Sequence, residues 1–422
     1  MTVLLERPAL REQPARTGSP RRARDPFIDI LRVFGMALVV LQHWTIPVLD
    51  YDGARLTTGN ALAEPGVWVV TWISQVMPLV FFAGGAANAI SFGRAAHGGP
   101  QWIVTRVRRL AWPLLPLAAV WLPLPHVLMT LGVPEQPLEV GARLTGQLLW
   151  FLAVYLIAVT ATPYLLRLHA AHGWRVVAVL AAAAVLTDVV RFSTGVDALG
   201  YANIVFVWLA VHQLGFLYAG GRLRLPVLMA AGGFGAAALL VAYGPYPGSM
   251  IGLPGAEMSN MAPPTLAMLA VSFGQVGLAA LLRPWIVRLP LTRVLAWAGP
   301  RIMTAYLWHM PALFAVTGVV VVAMRVETPT PGSAFWLAGW PVWFGALCLL
   351  LWPLLRWFSR FEEPPALPYG KATWATALTS AALTGGGLLA LTVAGFAPGG
   401  VPFLGVIAVL GGLLLTGPRT RM

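Results

Sequence analysis

Apolar residues fall in long runs rather than in alternation, and the runs recur from residue 27 to near the end of the chain with short polar breaks between them. Each is about 20 residues long, the length a helix needs to cross a ~30 Å hydrocarbon core. The pattern predicts twelve transmembrane helices, over about 27–47, 66–91, 110–131, 147–166, 174–190, 202–219, 226–243, 264–283, 302–323, 335–355, 373–394 and 401–416. Backbone inside lipid must satisfy its own hydrogen bonds, so the expected fold class is an all-α polytopic transmembrane bundle.

The breaks between runs add detail. Residues 244–264, GPYPGSMIGLPGAEMSNMAPP, are rich in Gly and Pro and read as a long loop folding over one face. Residues 92–109 mix Trp102, Val104 and Val107 with charge, which suits an interfacial helix or the inner end of the third span. The connection RFEEPPALPYGKAT is polar and proline-bearing, and the two spans after it are Gly-rich. Three parts follow: a disordered basic tail over 1–26, a ten-helix membrane domain over 27–366 and an appended helix pair over 367–422.

Composition excludes a soluble protein. Hydrophobic residues make up 58% of the chain and charged residues only 10%, against ~25% charge in soluble globular proteins. The formal charge of +13 would suggest nucleic acid in a soluble domain. Here it is a matter of loops, and no nucleic-acid partner is expected. With the N-terminus inside, 23 of the 28 basic residues are cytosolic. Only Arg55, Arg143, Arg191 and Arg325 are outside, and Arg32 lies within the first helix. That asymmetry predicts both termini in the cytosol and a multi-pass protein of the plasma (inner) membrane. The first apolar run lacks a signal peptide's cleavage pattern, so it is read as a retained helix. Cys348 is the single cysteine and suggests no redox or thiolate-metal chemistry.

Ionisable groups at membrane depth are costly, so function is sought where they occur. Asp29 and Arg32 are three residues apart on one helical face, where the carboxylate can neutralise the guanidinium. From Arg32 to His43 is eleven residues, about 1100° of rotation, which returns to within roughly 20° of the same face about 16 Å further along. One stripe thus carries a cation near the cytosolic entrance and an imidazole high in the membrane. The bland readings are a snorkelling Arg32, an interfacial His43 beside Trp44, and an Asp29 that merely pairs with Arg32 or the tail. The chemical reading is acyl transfer from a thioester to a hydroxyl. It needs a base that works at neutral pH and cationic donors for a carrier's phosphates. A pantetheine arm of about 15–20 Å is comparable with the helix rise from Arg32 to His43.

Arg106, Arg108 and Arg109 are either an ordinary positive-inside cluster or a phosphate dock beside Arg32. Phe81, Phe82, Gly84, Gly85 and Asn88 mark the second span, its glycines serving close helix packing or clearing room for a substrate arm. His212 and His309 read as packing or hydrogen-bonding groups within spans. No metal is expected, because no histidine pair has a metal-ligand spacing. Walker, dinucleotide and serine-elbow motifs are also missing from any strand-to-helix context.

These residues resemble the integral-membrane acyltransferase-3 family. FIDILRVFGMALVVLQHW is similar to its opening signature, through Asp29, Arg32 and His43. PLVFFAGGAANAISF resembles its second helix through Phe81, Phe82 and Gly85, and TRVRRLAWPLLP its third through Arg106, Arg109 and Pro113. QLLWFLAVYLIAVTATPYL and TAYLWHMPAL resemble later helices, through Trp150, Tyr155, Pro163, Tyr306, His309 and Pro311. The resemblance spans about residues 25–357. It implies transfer of an acyl group, often acetyl, from acyl-coenzyme A to a hydroxyl of a carbohydrate, a lipid-linked glycan or a small metabolite. It also implies His43 as the essential histidine, helped by Arg32 and Asp29, with Arg32, Arg106 and Arg109 on the donor. Acyl-coenzyme A is then a donor substrate, not a resident cofactor, and the partners are that donor, the hydroxyl acceptor and membrane lipids. A homo-oligomer is compatible with the sequence. The segment FFAGG departs from the family's more usual Ser or Gly before the last Gly, and no fused soluble acyl-transfer domain is expected.

Twelve spans with cytosolic termini also suit a secondary transporter, the alternative reading. Transporters tend to show matched halves, whereas the polar residues here concentrate in spans one to three and the DILR…QH pattern has no second copy. A membrane scaffold would leave the Asp29, Arg32 and His43 stripe without a role.

Overall fold

The computed structural model describes residues 25–64, 66–95, 98–253, 256–366 and 372–417. The tail expected over 1–26 lies outside the described residues except for Asp25 and Pro26, as do Lys371, Arg419 and Arg421.

Among the described residues, eleven helical stretches are long and apolar enough to cross a membrane. In chain order they are Pro26–Thr45, Val67–Phe92, Gly98–Thr130, Glu135–His172, Trp174–Thr194, Asp197–Ala219, Pro226–Tyr243, Leu266–Ile286, Thr292–Ala323, Ala334–Phe361 and Trp374–Ala394, called here the first to eleventh spans. The twelfth run folds as the apolar helix Gly400–Leu414, whose 15 residues fall short of a full crossing at 1.5 Å each. The protein is a polytopic all-α bundle.

Two local features depart from the pattern. Residues 98–111 form one amphipathic helix that runs through a turn at Trp112 and Pro113 into Leu114–Trp121, so this segment is the beginning of the third span. After the first span comes a hairpin, β1 (Pro47–Tyr51) and β2 (Leu56–Asn60), paired antiparallel from Pro47 opposite Asn60 to Tyr51 opposite Leu56. Its turn uses Gly53 at φ 105°, and the Asp52 carboxylate accepts from the backbone N–H groups of Ala54 and Arg55, at 2.8 Å each. Those two donors hold the Asp52 carboxyl below its usual range.

Small residues bring helices to backbone contact where lipid offers no hydrophobic drive to associate. A Cβ at Gly85 of the second span would collide with the carbonyl of His212, and one at Gly215 with the carbonyl of Phe82, so the second and sixth spans meet backbone to backbone. The eleventh span and Gly400–Leu414 pack together and dock on the rest of the bundle. There Phe396 N–H donates to the Ala142 carbonyl at 2.9 Å, and Gly146 lies against the Gly395 backbone.

The ends of the spans define two faces. Asp25 caps the first span by accepting from Phe27 N–H at 3.0 Å. Its other carboxylate oxygen accepts from the Tyr218 hydroxyl at 2.8 Å, and that hydroxyl accepts from Arg283 Nε at 2.9 Å. On the opposite face the hairpin is tied to the end of the ninth span, with Leu49 N–H donating to the Thr328 hydroxyl and Thr328 N–H to the Leu49 carbonyl. Arg325 lies over the Tyr51 ring, 4.5 Å from its centroid.

The described part of loop 244–264 covers the same face and hangs from Asp188, which is 1% exposed in the fifth span. Its carboxylate accepts from Asn203 Nδ2 at 2.7 Å, the Tyr246 hydroxyl at 3.0 Å and Leu266 N–H at 2.7 Å. Burial, then the nearby Asp188 carboxylate, pushes the Tyr246 phenol above its usual range, so it stays a donor. Asp188→Ala strands these donors and should destabilise the fold by about 3 kcal/mol. Asp188→Asn, which keeps an acceptor oxygen, should cost less. Thermal unfolding in detergent, with limited proteolysis of the loop, checks both. An Asp188→Ala protein as stable and protease-resistant as the parent would contradict the hanging role.

Candidate functional site

The His43 ring lies in the last turn of the first span and meets His309 of the ninth, with His43 Nδ1 2.8 Å from His309 Nε2. The rings are nearly parallel, at 6°, with centroids 5.1 Å apart. A ring nitrogen sits about 1.2 Å from its centroid, so a 2.8 Å nitrogen–nitrogen distance and a 5.1 Å centroid separation place both centroids and both nitrogens almost on one line. This is an in-plane hydrogen bond, not a π-stack. His309 is fully buried, whereas His43 is partly buried.

Three spans hold the pair. Trp44 N–H donates to the His309 carbonyl at 3.0 Å, and Trp343 N–H of the tenth span donates to the Trp44 carbonyl at 2.9 Å. His309 Nδ1 faces backbone oxygens of its own helix, Tyr306 at 2.7 Å and Ala305 at 3.2 Å.

The cations lie toward the Asp25 face. Arg32 Nη1 is 3.9 Å from Asp29 Oδ1, with the two side chains 47% and 32% exposed, a loose pair that leaves Arg32 donors free for another anion. Arg32 and Arg109 are both within electrostatic reach of Arg106. Arg106 is anchored by a 2.5 Å hydrogen bond to the Ser91 hydroxyl and by the Trp102 ring, 5.3 Å away. Arg108, grouped with them in sequence, is buried and donates to the Pro365 carbonyl at 2.8 Å. Arg32 and Arg109 are therefore near Arg106, whereas Arg108 is turned toward Pro365.

Glu362, which sequence reasoning missed, sits near Arg109. It accepts from the backbone N–H and the hydroxyl of Thr304, at 2.6 and 2.7 Å, near the start of the helix that carries His309. Burial raises its carboxyl pKa, while the Thr304 donors, then the Met303 backbone N–H and then Arg109 pull it back. The EE pair after the tenth span was the visible signal, but its partner lies 58 residues earlier.

An aromatic series links the two regions. Tyr306, one turn from His309, makes an edge contact with Phe151 at 5.7 Å; Phe151 lies 5.7 Å from Tyr155, and Tyr155 is near Arg106. The Tyr155 hydroxyl reaches Asn88 Oδ1 at 3.4 Å, and Asn88 Nδ2 lies 3.1 Å from His212 Nε2. A Cβ at Gly84 would come within 2.6 Å of the Tyr155 ring. Gly84 thus makes room for a ring beside this series, while Gly85 serves helix contact. Phe81 stacks on Trp208 at 4.6 Å, behind Phe151.

An apolar groove of about 410 Å³ runs along the outside of the dyad, between the first, ninth and tenth spans. Trp44 and Ala305, both neighbours of the dyad, line it, as do Cys348 and Arg301.

The family model described as an acyltransferase domain, Acyl_transf_3, matches residues 25–355, more than three quarters of the chain. No curated protein and no solved structure matches.

Proposed function

We propose, from the premise that the chain belongs to the acyltransferase-3 family, that it moves an acyl group, acetyl as the first candidate, from acyl-coenzyme A to a hydroxyl of a carbohydrate or lipid-linked acceptor. The observation that carries this reading is the His43 imidazole, held against the buried His309, on one helical stripe with Arg32. Family membership favours group transfer over the transporter alternative.

Arg32, Arg106 and Arg109 bind the donor's phosphates, for which guanidinium groups have suitable donor geometry. Asp29 keeps Arg32 oriented without cancelling its charge, as their 3.9 Å separation allows. The pantetheine arm follows the aromatic series past Tyr155 and Phe151 and delivers the thioester near His43. The acceptor oxygen attacks the thioester carbonyl while His43 takes the hydroxyl proton. The C–S bond then breaks, and the departing thiolate takes a proton to leave coenzyme A and the ester. The buried, neutral surroundings favour imidazole over a permanent charge. The groove beside Trp44 and Ala305 supports an acceptor carried on an apolar tail.

In purified protein, His43→Ala should lower kcat by about 10²–10⁴-fold with little change in donor affinity. Arg32→Ala should weaken acyl-coenzyme A binding by about tenfold or more. Radiolabelled acyl transfer and donor-binding isotherms on the same samples check both. A folded His43→Ala protein with parent-like turnover would remove the base from this assignment, and unchanged donor binding in Arg32→Ala would return Arg32 to lipid snorkelling.

The groove reading has its own test, because Cys348 is the single cysteine and is exposed. Alkylating it with a bulky maleimide should slow transfer to a tailed acceptor about tenfold, with transfer to a water-soluble hydroxyl acceptor retained. Equal effects on both acceptors would contradict a tail-binding groove.

A further inference from the structure

We infer that His309 is a positioning residue that fixes the tautomer of His43, so that the nitrogen taking the acceptor's proton is His43 Nε2; this rests on the reading of His43 as the base. The argument starts at the buried end of the dyad. His309 Nδ1 lies 2.7 Å from the Tyr306 carbonyl oxygen and 3.2 Å from that of Ala305. A carbonyl oxygen can only accept, so Nδ1 carries the hydrogen. In a neutral ring Nε2 then bears a lone pair, and at 2.8 Å it requires a donor from His43 Nδ1. With the hydrogen on Nδ1, the neutral His43 ring has its basic lone pair on Nε2, pointing away from His309.

The opposite arrangement is penalised at each step. Moving the hydrogen of His309 to Nε2 would set a bare Nδ1 lone pair against two carbonyl oxygens in a side chain with no exposure. It would also place the His43 lone pair on Nδ1, facing the donor at His309 and unavailable to an incoming hydroxyl. The accepting carbonyls are three and four residues before His309 on its own helix, so this choice is set locally. The indole bond from Trp44 to the His309 carbonyl and that from Trp343 to the Trp44 carbonyl then hold the first, ninth and tenth spans in the register that keeps the two nitrogens aligned. The partner of the base is thus an uncharged acceptor, where a carboxylate would add a negative charge at membrane depth.

The experiment compares His309→Leu and His309→Gln in the purified full-length protein, reading kcat, KM for acyl-coenzyme A and thermal stability. A glutamine can place its amide oxygen near the position of Nε2 and so accept from His43 Nδ1; leucine cannot. His309→Leu should lower kcat about 100-fold with KM within about threefold of the parent, and His309→Gln should recover at least about tenfold of that loss. Parent-like kcat in His309→Leu overturns the inference. So does a folded His309→Gln protein no faster than His309→Leu. If His309→Leu does not fold, His309→Gln is compared with His309→Asn, whose shorter side chain brings its amide near Nδ1 instead; equal rates then overturn the inference. His43→Ala separates this failure from that of the underlying reading. Parent-like turnover there removes the base itself, while loss at His43 without loss at His309 removes only the positioning role.

Discussion

A hydrogen bond between two imidazoles, 266 residues apart in sequence, joins the first span to the ninth at membrane depth. Polar groups in such surroundings are tolerated only when paired, and here the pairing runs outward in order. Backbone oxygens of the ninth span face His309, His309 faces His43, and Trp44 and Trp343 tie the adjacent backbone to the tenth span. The hairpin begins two residues after the first span ends and is bonded to Thr328 beyond the ninth, so the same two spans are joined again past their C-terminal ends. The imidazole pair is therefore fixed from both sides rather than carried by one mobile helix.

The second constraint is distance. His43 lies near one end of the first span and Arg32 near the other, about 16 Å apart along the axis. A reaction that uses both needs a substrate that is charged at one end and reactive at the other. Acyl-coenzyme A has that form, and membership in an acyltransferase family agrees with it. Tyr306, Phe151 and Tyr155 form a series of ring contacts between the two regions. Glu362 bonds Thr304 near the start of the helix whose later turns carry Tyr306 and His309, and it sits within electrostatic reach of Arg109. Arg109 is thus connected through Glu362 to the helix that carries His309.

The spans were largely legible because hydrocarbon thickness imposes a length and composition that a single sequence displays directly. That Asp29, Arg32 and His43 share a face follows from helical periodicity alone, which needs no knowledge of their neighbours. What escaped was pairing across distance. His309 read as one more buried histidine because nothing local tells that its Nε2 meets His43. Arg108 was grouped with Arg106 and Arg109, yet one residue of helical rotation turns it toward Pro365. The hairpin was passed over between two stronger apolar runs, although Asp52 and Gly53 carry a turn signal. Gly400–Leu414 shows the limit of reading apolarity alone, since its composition is that of a span but its helix is too short for a full crossing.

The central claim is that His43 and His309 act as one unit in the chemical step. A double-mutant cycle on kcat, comparing the parent, His43→Ala, His309→Leu and the double variant in one detergent or lipid preparation, addresses it most directly. If His309 acts through His43, the double variant turns over no more slowly than His43→Ala alone. Losses that multiply instead would mean the two histidines contribute independently, and the dyad would then be a structural contact rather than the working base and its support.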